Sequence, residues 1–90
     1  MINIDNKQFE VIKDEKECFD KEIFQELFTD YFYDFDYIVG DYAYSKLRLK
    51  GFYDSKNSKV KDMNNIDNLQ DYIDNYCAYG CKYFVLKRIK

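Results

Sequence analysis

The sequence predicts a single α+β domain: a mostly antiparallel sheet with two helices, in the order ββαββαβ. Three observations lead there. Residues 20–32, DKEIFQELFTDYF, place Ile23, Phe24, Leu27, Phe28, Tyr31 and Phe32 at helical spacing. Residues 46–53, KLRLKGFY, alternate charged and apolar side chains with a period of two, as a strand with one buried face does. Residues 83–86, YFVL, are apolar on both faces, which suits a strand central in its sheet with material packed on each side. Two apolar helical stripes then need a sheet to cover, and short connections favour antiparallel pairing.

Taken in order, INI and KQFEVIK form a first hairpin, with Asp5 and Asn6 in the turn and Phe9 and Val11 pointing inward. The first helix follows, with Asp20 as N-cap and Glu22 and Glu26 in its early turns, where the helix dipole favours negative charge. Residues 36–41, DYIVGD, are a short apolar strand stopped at Gly40. They pair with KLRLKGFY in a second hairpin about residues 42–45. A polar loop, DSKNSKVKDMNN, leads to the second helix. There Asp67 and Gln70 stand at capping-box spacing, Ile66, Leu69, Ile73 and Tyr76 share a face, and Gly80 suits the end. The strand CKYFVLKRI closes the fold.

Composition sets the limits. Residues 1–90 make one domain, and a chain this short buries only roughly 60–65% of the surface it exposes unfolded, so the quality of the core matters. Aromatic residues supply it: ten tyrosines and eight phenylalanines, each able to bury a large area. No apolar run approaches the ~18 residues of a membrane span, and the first residues lack a basic segment followed by an apolar one, so a cytoplasmic location is expected. Cys18, Cys77 and Cys81 are then reduced thiols. Histidine is absent, which removes Ser-His and Cys-His nucleophile chemistry and most zinc and iron sites. Net charge is −3 but unevenly spread: residues 1–45 carry four lysines against twelve carboxylates, and residues 46–90 carry ten cations against five. A molecule with one basic face is one outcome; a fold that interleaves the halves is the other.

The basic side chains of the second half include a regular row. On a strand, Tyr44, Lys46, Arg48, Lys50 and Phe52 point the same way at roughly 6.5–7 Å spacing, and Lys87 and Arg88 extend the patch if the last strand lies nearby. Basic groups framed by aromatics suit an acidic protein partner, or the phosphates and bases of a single strand. The plain alternative is a solvated strand face. Cys77 and Cys81, spaced C-x₃-C, match no zinc motif and read as small hydrophobes. The acidic residues Asp30, Asp34, Asp36 and Asp41 read as structural. Asp34 and Asp36 end a helix, and Asp41 is placed to pair with Arg48 or Lys46 across the hairpin, an exposed pair of about 0–1 kcal/mol. No glycine-rich phosphate loop exists among three glycines.

Residues 37–54, YIVGDYAYSKLRLKGFYD, together with residues 69–87, LQDYIDNYCAYGCKYFVLK, resemble the YutD family of small bacterial proteins. The resemblance implies a cytoplasmic, single-domain α+β protein and brings no biochemical activity with it. The functional expectation is a non-enzymatic module, free of cofactor and metal, that docks on a protein or ribonucleoprotein partner through Tyr44, Lys46, Arg48, Lys50 and Phe52. The alternative is direct binding of RNA or single-stranded nucleic acid through the same face.

Overall fold

In the computed structural model, which describes residues 2–4, 6–14, 19–43, 46–76 and 82–89, all strands join one antiparallel sheet. The strands are β1 (Ile2–Ile4), β2 (Lys7–Asp14), β3 (Tyr37–Ala43), β4 (Lys46–Phe52) and β5 (Tyr83–Ile89), in the spatial order β1-β2-β5-β3-β4. Helix α1 (Lys21–Leu27) follows β2, and α2 (Leu69–Tyr76) precedes β5. The expected order ββαββαβ is observed, and β5 is the central strand, as its two apolar faces require.

The sheet has a core on each face. On one lie Ile4, Phe9, Ile38, Phe84 and Leu86, covered by Phe24 and Phe28, with Leu47 and Leu49 packed at the margin. Phe9, Phe24 and Phe28 meet edge-on or tilted at 5.5–6.3 Å between centroids. Each such buried ring contributes about 1.5–3 kcal/mol. On the other face Val39, Phe52, Tyr83 and Val85 pack against Ile73, with Ile66, Leu69 and Tyr72 of the α2 region at the rim.

Local chemistry accounts for the ends of the elements and for several departures from expectation. Asn6 sits at φ 63°, and Ile4 pairs with Lys7, so β1 and β2 close a two-residue hairpin of the kind that Asn tolerates. Phe9 is buried as expected. Val11 holds its register opposite Leu86 but is 37% exposed, and a bulge between Val11 and Lys13 breaks the alternation beyond it. Helix α1 begins as expected, with the Asp20 carboxylate accepting from the amides of Glu22 and Ile23. It ends at Leu27, short of the expected Phe32. Phe28 turns extended, and a 3-10 turn, Asp30–Phe32, lets Phe32 stack on Phe28 at 6.0 Å. The buried stripe is accordingly narrow, with Ile23 and Leu27 substantially exposed.

The second helix is also capped differently from the expected Asp67–Gln70 box. A 3-10 turn, Ile66–Asn68, precedes it; Asn65 caps that turn through the amide of Asp67, and Gln70 bonds Asp74 at 3.0 Å. The proposed terminator Gly80, the three cysteines and Tyr44 lie outside the described residues. No helix among the described residues is long and apolar enough to cross a membrane.

Candidate functional site

Strand β4 is an edge strand whose alternate side chains serve opposite faces of the sheet. Leu47 and Leu49 turn to the α1 side, as the alternation predicts. Lys46, Arg48, Lys50 and Phe52 turn to the α2 side. The four differ widely in circumstance. Lys46 is exposed. Arg48 lies directly across from Asp41, donating from Nη2 to Oδ2 at 2.8 Å and from Nε to Oδ1 at 3.3 Å. The expected pair is therefore present, but its carboxylate is only 1% exposed against 47% for the arginine side chain, so it is not the wholly surface pair expected. Tyr83, on the other side of β3, completes the row across Asp41.

Lys50 lies over two rings, 5.4 Å from the centroid of Phe52 and 5.6 Å from that of Tyr72. Phe52 is buried, edge-on to Tyr72 at 5.5 Å, because α2 closes over this end of the strand. Its expected place on a basic, accessible face is corrected: it is a core residue and offers no stacking platform.

Lys87 and Arg88 part company, since neighbours on a strand face opposite ways. Lys87 is exposed and shares the α2 side with β4, in a row that runs Glu10, Lys87, Tyr37, Phe52. Arg88 turns to the opposite face, so its expected membership of the patch is also corrected. It donates from Nη1 to the carbonyl of Tyr33, and its Nη2 lies 3.6 Å from Asp36.

Asp36 emerges as a structural hub that sequence reasoning treated only as a helix terminator. Its Oδ2 accepts from the amide of Asp54 at 2.8 Å and from Nδ2 of Asn57 at 3.0 Å, while its backbone carbonyl accepts from the amide of Arg88 at 2.9 Å. The acidic residues near it do not converge. Asp41 is engaged by Arg48, Asp36 by Arg88 and Asp34 by Lys59. Among the described residues no group of three or more Cys, Asp or Glu is placed to hold a metal ion.

Two adjoining clefts flank β4 and share Lys50, Met63 and Tyr72. The larger, about 780 Å³, continues along α2 past Asp62 and Asp71. The smaller, about 480 Å³, runs along Arg48, Leu49 and Gly51 to Tyr31 and Phe35. Met63 and Tyr31, on either side of the strand, are 75% and 69% exposed, the most exposed large apolar side chains among the described residues. Neither was singled out from sequence as a binding residue. A lone methionine in a polar loop was the available signal for Met63, and the proximity of Tyr31 to β4 is visible only in the fold.

The same architecture recurs in a known protein. The chain is 47% identical over 90 residues to "Putative antitoxin YutD" of Bacillus subtilis strain 168, covering all of this chain and 99% of that protein. The solution NMR structure of B. subtilis yutD superposes with a TM-score of 0.83, covering 100% of this chain and 82% of that one. Residues 3–87 match the family described as "Putative antitoxin YutD-like". With sheet order, helices and nearly half of its residues in common, the chain belongs to the YutD-like family.

Proposed function

We propose that the protein is a non-enzymatic docking module that binds a protein partner through the α2 side and free edge of β4, in the manner of an antitoxin that masks a toxin. The observation that carries this reading is the pair of clefts meeting at Lys50, Met63 and Tyr72. There the exposed Met63 and the half-buried Tyr72 ring stand beside Lys50, the composition favoured at the centres of protein interfaces. The name of the B. subtilis relative, "Putative antitoxin YutD", supports the same class of partner.

The contacts come from Lys46, Lys50, Met63, Tyr72 and the exposed half of Arg48, with Lys87 farther across the sheet. The nucleic-acid alternative is less well supported: Phe52 is buried, and the chain carries a net −3.

The test is capture from bacterial lysate with tagged protein, with and without nuclease, comparing wild type with Lys46→Glu/Lys50→Glu. Arg48 is left intact because its loss would remove the cation that faces the buried Asp41 carboxylate. A protein partner retained after nuclease and lost from the variant is the expected result. Partners that disappear with nuclease would replace this reading with the nucleic-acid one, and partners indifferent to both treatments would remove β4 from the site.

A further inference from the structure

Resting on the docking reading above, we propose that the free edge of β4 takes an extended segment of the partner as a sixth strand, one that alternates acidic and apolar residues.

The argument begins with backbone hydrogen bonds. In an antiparallel pair, alternate residues exchange both bonds with the partner strand, and those between point away. Arg88 N bonds Asp36 O and Tyr42 N bonds Lys82 O, so the even residues of β3 serve β5 and the odd ones serve β4. With Asp41 opposite Arg48 and Val39 opposite Lys50, the even residues of β4 are satisfied by β3 and the odd ones face outward. Among the described residues no backbone group meets the outward N–H and C=O of Leu47 and Leu49.

The next outward residue beyond the strand, Tyr53, is already paired. Its amide donates to Asn64 O at 2.7 Å and its carbonyl accepts from Ile66 N at 2.9 Å, forming a one-residue parallel bridge to Asn65. The chain thus comes onto this edge out of the 3-10 turn Asp62–Asn64, pairs for one residue, and leaves through the 3-10 turn Ile66–Asn68. Gly51 lies buried beneath the Phe35 ring, so the open stretch runs from Leu49 back toward Lys46.

The side chains beside this edge select the occupant. On one side the added strand meets Leu47, Leu49 and the exposed ring of Tyr31, which take apolar residues. On the other it meets Lys46, Arg48 and Lys50, and no carboxylate lines the cleft along this edge. Opposite charges directly across a strand pair are favourable and like charges unfavourable. Asp62 and Asp71 lie in the neighbouring cleft, which confines acidic contacts to β4. A second copy is the wrong occupant: antiparallel pairing of two β4 edges about Leu49 sets Arg48 of each copy against Lys50 of the other.

The test follows amide hydrogen exchange by NMR on the full chain, with a seven-residue peptide alternating glutamate and valine and a control that carries lysine for glutamate. Expected is slowing of the Leu47 and Leu49 amides by about tenfold or more with the acidic peptide alone, and two cross-strand charge pairs supply about a tenfold preference over the lysine control. Lys46→Glu/Lys50→Glu should weaken binding about as much. Leu47→Pro, which removes an outward donor that an edge strand can spare, should abolish binding while the Val39 and Val85 amides stay protected.

If the peptide binds with Leu47 and Leu49 still unprotected, strand addition is overturned while the docking face stands. If no peptide binds, the proposed occupant is overturned and lysate capture still judges docking separately. Protection of both amides without peptide, rising with protein concentration, would overturn the proposal in favour of a second copy. Should Leu47→Pro fail to fold, exchange in the wild-type chain decides alone.

Discussion

Asp41 and Arg48 stand directly opposite each other across β3 and β4, joined by two hydrogen bonds, with the carboxylate buried and the guanidinium half in solvent. The asymmetry sets the energetics. Arg48→Met should cost about 2–3 kcal/mol, because a buried carboxylate loses the cation that faces it; the open side of the arginine site admits some water and keeps the loss below that of a fully enclosed pair. Asp41→Asn should cost less, since the cation left behind can turn to solvent. Asp41→Asn/Arg48→Met should recover part of the loss of Arg48→Met alone, and urea denaturation of the four proteins completes the cycle.

Gly40 and Gly51 should respond unequally to a methyl group. A Cβ on Gly40 would lie 2.2 Å from Cζ of Phe84, a ring with no exposed surface. A Cβ on Gly51 would lie equally close to Phe35, whose ring borders the open cleft beside β4. Gly40→Ala is therefore expected to lose about 3 kcal/mol and Gly51→Ala nearer 1 kcal/mol, in the range typical of overpacking. Adding Phe35→Leu to Gly51→Ala should restore part of that loss. Equal costs at the two sites would mean that Phe35 is as firmly held as Phe84.

Asn6 tests the first hairpin. Its φ of 63° suits Asn and Gly and penalises a residue with an ordinary side chain. Asn6→Ala should lower stability by about 1–2 kcal/mol, with Asn6→Gly far closer to wild type; thermal denaturation of the two variants distinguishes them.

The parts of this fold written in local pattern were legible before any coordinates. The alternation of KLRLKGFY assigned Leu47 and Leu49 to the core side, and the two-faced apolar run of residues 83–86 placed β5 at the centre. What was not legible depends on distant partners. The bulge at Val11, the early end of α1 and the burial of Phe52 each follow from what packs against those residues, not from their neighbours in sequence. Arg88 is different: strand parity alone separates it from Lys87, and counting both into one basic patch overlooked that. Tyr31 and Met63 carry no periodic signature, so their place beside the β4 edge had to come from the fold.

Arg88 and Asp36 support the last prediction. The Asp36 carboxylate accepts from Asp54 and Asn57 and lies beside the Arg88 guanidinium, so one side chain ties the loop after β4 to the central strand. Asp36→Ala should free the Asp54 amide, raising its exchange rate by about tenfold or more, and lower global stability by about 1–3 kcal/mol through the donors left unsatisfied. Arg88→Ala removes the cation and the contact to the Tyr33 carbonyl but leaves the bonds from Asp54 and Asn57 in place. It should therefore destabilise the fold with a smaller local effect at Asp54. If both variants loosen the Asp54 amide equally, Asp36 is held in position by Arg88 and the two act as one unit; if neither does, the loop is fixed from the Tyr53–Asn65 bridge instead.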